Sequence, residues 1–254
     1  TASPPPPSGA VWTQSTFEGM PDQHIVFARS CDRGHTWTPP QLLAGPDPQR
    51  GVGMASWGFP LVSSSGRIYV LYSRHIGVND YGRHVTGLMA GVSSDDGGQS
   101  WSEEQVIAMP RSRWDHPDAA VPANWIVWQK PLRLLGDRYF VGFTRWLSPQ
   151  IAPAPPIGSW IAHASVVEFM RFENVDHNPP VGELEISFLA RDDDALHIDF
   201  PGHSEVSVAQ EPTLTALPDG RLFCVMRSSA GCPYWSCSAD GGNTWTQPAP
   251  RIPP

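Results

Sequence analysis

Ser30-Cys31-Asp32-Arg33-Gly34-His35-Thr36-Trp37 returns as Ser94-Asp95-Asp96-Gly97-Gly98-Gln99-Ser100-Trp101 and again as Ser238-Ala239-Asp240-Gly241-Gly242-Asn243-Thr244-Trp245. All three copies fit S-x-D-x-G-x-[ST]-W, and each follows an apolar run of strand type. A threefold repeat on this scale decides the architecture before any single residue is weighed. Every position suits a β-hairpin turn. The Asp carboxylate accepts from backbone N–H groups ahead of it, as in an Asx turn, and the Gly takes a positive φ that a Cβ resists. The Ser or Thr hydroxyl ties the turn to neighbouring backbone, and the Trp is read as an apolar plug for the hairpin's base. The residues Asp32, Gly34 and Trp37, Asp96, Gly98 and Trp101, and Asp240, Gly242 and Trp245 are therefore structural.

A second repeat runs between these copies. Phe59-Pro60-Leu61-Val62, Lys130-Pro131-Leu132-Arg133 and Glu211-Pro212-Thr213-Leu214 each open an apolar strand, followed by a Gly turn and a second strand ending in Arg. The second strands are 66–74 (GRIYVLYSR), 136–145 (GDRYFVGFTR) and 220–227 (GRLFCVMR), rich in the β-branched, aromatic and aliphatic residues that strands favour. Trp37 and Trp101 are about 64 residues apart and Trp101 and Trp245 about 144, so one unit between them, near residues 127–190, lacks the eight-residue phrase. That unit's third strand is expected in the stretch from Trp160 to Phe169. The spacing predicts about four such units.

With 40% hydrophobic and 17% charged residues, 11 Trp and 28 Pro, the composition is that of a folded, turn-rich chain. A formal net charge of −8 with no Lys/Arg cluster argues against nucleic acid and anionic membranes as partners. No apolar run approaches the roughly 18 residues of a membrane-spanning helix. No charged-then-apolar signal segment opens the sequence. The compartment stays open: extracellular or periplasmic if a signal peptide precedes the chain, cytoplasmic otherwise. Residues 1–9, with four consecutive prolines, read as a linker ahead of a folded region at 10–254. Cys224 and Cys237 could face one another across a hairpin. Neither the four Cys nor the nine His show metal-ligand spacing, and no metal or cofactor is expected. Asp192-Asp193-Asp194 reads as a solvated acidic run.

The eight-residue phrase resembles the Asp box, or BNR repeat, of the sialidase (neuraminidase) superfamily. The resemblance implies an all-β, sialidase-like β-propeller, six-bladed in the family, with about four blades present here. It places the boxes on turns between third and fourth strands, away from the catalytic face. Asp boxes also occur in propellers that are not sialidases, so the box speaks to fold more than to activity. In such a propeller the inner strands line a central channel. The second repeat then aligns Phe59, Lys130 and Glu211 at the channel mouth and Arg74, Arg145 and Arg227 at the ends of the second strands. Arg forks there suit a substrate carboxylate, and a Glu suits proton handling.

The stretch from Glu211 to Arg227 is similar to the one bearing the sialidases' essential Glu and the second Arg of their carboxylate-binding triad. It implies that Glu211 polarises a Tyr nucleophile and that Arg227 grips the substrate carboxylate. Lys130, Arg74 and Arg145 read as further substrate contacts. The family's acid/base is an Asp in the loop before the first box. Here residue type favours Asp22 and distance to the box favours Glu18; both stand as candidates, with Asp22 preferred. The family's order puts the first triad Arg ahead of this chain, and the third Arg and the nucleophilic Tyr beyond Pro254. Trp125 and Trp128 border the expected channel, where they could stack on a sugar, and Tyr234 reads as a packing residue. The function implied is removal of a terminal sialic acid or similar acidic sugar from a glycan by retaining hydrolysis. Action on another acidic polysaccharide, or glycan binding without catalysis, are the alternatives.

Overall fold

The computed structural model describes residues 8–47, 49, 53–134, 136, 138–157 and 163–251. Four antiparallel sheets follow one another along the chain. The first orders β1 (Ser8–Gln14), β2 (His24–Ser30) and β3 (Gln41–Ala44). The second orders β4 (Ala55–Val62), β5 (Ile68–Arg74), β6 (Leu88–Ser94) and β7 (Gln105–Ile107). In the third, the short strands β8 (Asn124–Ile126) and β9 (Leu132–Arg133) share one edge of β10 (Tyr139–Trp146), with β11 (Ser165–Phe172) and β12 (Ile186–Leu189) beyond. After a small hairpin of β13 (Asp199–Phe200) and β14 (His203–Ser207), the fourth orders β15 (Ala209–Ala216), β16 (Leu222–Ser228), β17 (Tyr234–Ser238) and β18 (Ala249–Pro250). The sheets pack face to face as blades and do not close into a ring among the described residues.

Blade stacking explains why the strands read as apolar runs rather than as alternating ones. Every residue of β10 is buried, because its two faces meet two different neighbours. Tyr139, Val141 and Phe143 join the cluster shared with Leu61 and Leu71 of the second sheet. Phe140 joins Phe169, Val208 and Met226 on the side of the fourth. Tyr234 packs against this second cluster.

The three repeated turns share one bonding scheme. Asp Oδ1 accepts the N–H of Thr36, Ser100 or Thr244 at 2.8, 2.9 and 2.9 Å, and Oδ2 accepts the same residue's hydroxyl at 2.6 Å in every copy. The hydroxyl of Ser30, Ser94 or Ser238 donates to the carboxylate at 2.7, 2.8 and 2.8 Å and accepts the N–H of Gly34, Gly98 or Gly242. These donors favour the ionised carboxylate, holding Asp32 and Asp240 at about 2 and Asp96 also below the ordinary 3.8. The Trp, expected to plug its own hairpin, instead reaches the preceding blade. Trp101 meets the Phe27 ring edge-on at 5.0 Å, and Trp245 stacks on Phe169 at 4.2 Å. Trp37 is 46% exposed, its indole N–H donating to the carbonyl of Gly34.

Other expectations shift in detail. β1 begins at Ser8, so Ser8 and Gly9, read as linker, are paired with Ser30 and Arg29. The third sheet does lack a box. Residues 173–185 take its place with two 3₁₀ turns, Val175–His177 and Val181–Glu183, tied to the second sheet. The Tyr69 hydroxyl donates to the Pro179 carbonyl at 2.8 Å, and Gly182 N–H donates to Gln105 Oε1 at 2.8 Å. The third strand there is described from Ser165, while residues 160–162 of the predicted stretch lie outside the described residues. All four cysteines are free. Cys224 opposes Ser236 and Cys237 opposes Phe223, so the two thiols leave opposite faces of the hairpin and do not meet.

The inner strands are interrupted by bulges, and these reset the second repeat. In β4, Ser56 opposes Ser73 and Phe59 opposes Leu71, leaving Trp57 and Gly58 facing one residue. In β15, Gln210 opposes Arg227 and Thr213 opposes Val225, leaving Glu211 and Pro212 in the same position. The counterpart of Glu211 is therefore Trp57, and Phe59 lies beyond the bulge in the core. In the third sheet, Ile126 opposes Thr144 and Leu132 opposes Phe140, so residues 127–131, Lys130 among them, form a longer interruption.

Candidate active site

The loops after β1, β5 and β10 and the first residues of β15 emerge at the end of the sheets away from the Asp boxes. Together they enclose a cavity of about 440 Å³. Glu211 and Arg227 form an ion pair on its wall, the guanidinium Nη1 donating to Glu211 Oε1. Hairpin geometry makes this pair: a bulge at Glu211 and a turn at Gly220 bring residues 16 apart side by side. Glu211 has a φ of +46°, and its N–H is taken by Thr144 Oγ1 of the neighbouring blade at 2.8 Å. Buried Gln210 lines the same wall.

Glu18 reaches this cavity from the β1–β2 loop. Gly19, at a φ of +80°, turns the chain, and its N–H donates to Gln23 Oε1, while Gln23 Nε2 donates to Ser56 Oγ at 3.0 Å. Because Gln23 is 1% exposed, the loop is anchored from inside the protein. His84 borders both the loop and the cavity. Its burial lowers the imidazole pKa, against the opposing pull of Glu18, and favours a neutral ring.

Aromatic rings supply much of the remaining wall. Tyr81 stacks on Trp146 at 5.1 Å and 4° and meets His163 edge-on at 3.8 Å. Trp128 lines the cavity and lies 4.4 Å from Trp57. Burial raises the Tyr81 phenol well above its ordinary value, so the hydroxyl stays protonated.

A match to the family described as "BNR repeat-like domain" covers residues 9–253. The chain belongs to this family. Among solved structures, the BNR repeat-like domain is similar to the Hadza microbial sialidase Hz136 at 16% identity and a TM-score of 0.64, over 95% of this chain and 43% of that one. It is similar to a protein of unknown function from Dyadobacter fermentans at 15% and 0.63, over 93% and 60%. The intramolecular trans-sialidase from Ruminococcus gnavus matches at 13% and 0.59, over 97% and 68%. At these identities the likeness is one of fold, a sialidase-like β-propeller. This domain spans only 43% and 60% of the length of the first two relatives. No curated protein matches the chain in sequence.

Of the residues singled out in the sequence, the domain brings Glu18, Glu211 and Arg227 to one cavity. Asp22 turns elsewhere. Its Oδ2 accepts both the hydroxyl and the N–H of Thr16, at 2.5 and 2.8 Å, which holds the carboxyl below its ordinary range. It borders a separate groove with His24 and Pro40. Lys130 is exposed on the long interruption between β8 and β9, outside the cavity.

Arg74 and Arg145 sit one register position beyond Arg227, opposing Ala55 and Trp125, and a one-residue step reverses the face a strand residue occupies. Arg74 pairs with Glu104 at the blade edge. Arg145 is fully buried between Asp115 at 2.7 Å and Glu168 at 2.9 Å. Burial alone would lower its pKa, but the two carboxylates outweigh burial and raise it, so it is a charged strut inside the sheet. The cavity residues that sequence reasoning passed over include Tyr81, His84, Trp146 and His163, which come from loops or strand ends. Among the described residues no helix is long and apolar enough to cross a membrane.

Proposed function

We propose that this domain contributes to a glycoside hydrolase of the sialidase type, which removes a terminal acidic sugar from a glycan with retention. The observation that carries the reading is the meeting of Glu18, from the β1–β2 loop, with the Glu211–Arg227 hairpin pair on one aromatic-walled cavity. Arg227 presents a guanidinium fork to a substrate carboxylate. Glu211, held beside it, is placed to polarise a nucleophilic hydroxyl. Sialidases use Tyr rather than a carboxylate as nucleophile, and an uncharged phenol avoids repulsion with the substrate's own carboxylate. The resemblance puts that Tyr beyond Pro254. Glu18 takes the acid/base role, protonating the leaving oxygen and then activating water. Asp22, whose Oδ2 is held by Thr16 and which borders another groove, is the weaker candidate.

The test is release of sialic acid from a fluorogenic sialoside by the full-length protein and by its Glu18→Gln, Asp22→Asn and Glu211→Gln variants. Glu18→Gln is expected to lose turnover with leaving groups that need protonation, while Asp22→Asn keeps it. No release from any acidic glycoside by folded protein removes the hydrolase reading. Binding without release leaves a glycan-binding propeller.

A further inference from the structure

Trp57 and Glu211 occupy the same place in two different blades. Each is the first residue of a two-residue bulge in an inner strand. Their φ angles are +59° and +46°, a region that side chains disfavour. Each backbone N–H is taken by a Thr hydroxyl of the neighbouring blade, Thr13 or Thr144, at 2.8 Å in both cases. Glu211 has an evident reason to tolerate this conformation, since the bulge delivers its carboxylate to the cavity. Trp57 calls for a reason of its own.

Its ring lies 4.4 Å from Trp128 and 6.2 Å from His84, and both of those line the same cavity as Glu211. A second unfavourable feature coincides with the first. Among the described residues the indole N–H groups of Trp57 and Trp128, like that of Trp146 in the same wall, are buried without a hydrogen-bond partner, an arrangement that folded proteins avoid. Packing alone explains neither feature. A glycine would relieve the backbone, and a Phe would fill much of the same space without an orphaned donor. Strain collected beside a cavity marks a residue retained for what it arranges.

We propose that Trp57 is a positioning residue, held by its bulge behind Trp128 and His84 so that these two form a stacking wall for the pyranose ring of the bound sugar. The inference rests on the carbohydrate reading above and adds to it the ring-binding face. A pyranose offers an apolar C–H face as well as hydroxyls, and a fixed indole meets that face with little entropy left to lose. In the same cavity Glu211 and Arg227 meet the polar substituents. The repeated bulge thus serves one cavity twice, once with a charge and once with a ring.

The test uses the full-length protein with Trp57→Gly and Trp57→Asn, both of which accept a positive φ, together with Trp57→Phe, Trp128→Ala and the Gly/Ala double variant. KM and kcat are measured on a sialoside, and Kd is measured by titration with sialyllactose. Loss of the Trp57 ring is expected to raise KM and Kd by about tenfold, the size of an aromatic contact, with kcat per folded molecule nearly unchanged. Trp57→Phe restores most of the affinity. Because Trp57 acts through Trp128 as well as His84, the double variant falls clearly short of the sum of the two single effects. Wild-type KM and Kd in folded Trp57→Gly or Trp57→Asn, or in Trp128→Ala, overturn the proposal, and so do additive effects in the double variant. Those results leave the hydrolase reading intact. If wild-type protein binds sialyllactose but releases nothing, the hydrolase reading falls and the Kd ratios decide the role of Trp57. A wild-type protein that neither binds nor cleaves overturns both.

Discussion

The Asp boxes and the inner-strand bulges are both repeats, and they repeat different things. In the boxes the same side chains recur, and their bonds agree to within 0.2 Å, because those side chains build the backbone turn. In the bulges the backbone recurs, with φ at +59° and +46° and a Thr hydroxyl at 2.8 Å, while the side chain changes from Trp57 to Glu211. Where side chains make the geometry, sequence repeats. Where geometry presents side chains, sequence is free to vary, and the cavity-lining Glu211 is found there.

The largest effect that separates the two regions is expected at Glu211. Glu211→Gln should lower kcat on a sialoside by about 10³-fold, within the span of general acid–base contributions, with thermal unfolding scarcely moved. Arg145 should behave in the reverse way, although the second repeat groups it with Arg227. Arg145→Met strands the Asp115 and Glu168 carboxylates in the interior and should cost about 3–5 kcal/mol in urea unfolding, with kcat per folded molecule retained. Arg227→Met should raise KM and leave stability nearly unchanged.

Within the boxes, a Cβ on Gly98 or Gly242 would lie 2.2 or 2.3 Å from a buried Phe ring, Phe27 or Phe140, whereas one on Gly34 meets nothing nearer than Trp37 at 3.8 Å. All three glycines have positive φ, so the strain of an Ala substitution is common to them. Gly98→Ala and Gly242→Ala should therefore exceed Gly34→Ala in lost stability by about 1–3 kcal/mol, the cost of overpacking. Equal losses would show that the blade-to-blade contact adds nothing.

The smallest expected effect is on acid stability. The box carboxylates bind protons less readily folded, at about 2 for Asp32 and Asp240, than at the ordinary 3.8. Their contribution is complete above about pH 4 and is lost as pH falls towards about 2. Asp32→Asn or Asp240→Asn should lower stability at neutral pH and flatten its decline across that window, followed by circular dichroism.

The box turns were legible in the sequence because their hydrogen-bond partners lie within a seven-residue span, whereas the Trp partners, Phe27 and Phe169 of the preceding blades, were not. Glu211 and Arg227 were legible because a single hairpin joins them. Lys130, Arg74 and Arg145 misled for a common reason: strand sequence records alternation but not where a bulge inserts a residue. Matching Phe59 to Glu211 by the following Pro hid Trp57, two positions earlier, and matching terminal arginines missed the single step that turns Arg74 and Arg145 away. Glu18 and Asp22 differ only in how a short loop folds, which rests on buried Gln23 reaching Ser56 in the next blade. Tyr81, His84 and His163 belong to loops with no repeat to place them.

The bond from Glu211 N–H to Thr144 crosses from one sheet to the next. The position of the carboxylate is therefore set by the angle between two blades as well as by its own strand. Any partner or solvent condition that rotates the fourth blade against the third would shift the Glu211 carboxylate from outside the cavity, with the hydroxyl of Thr144 as the pin about which that adjustment is made.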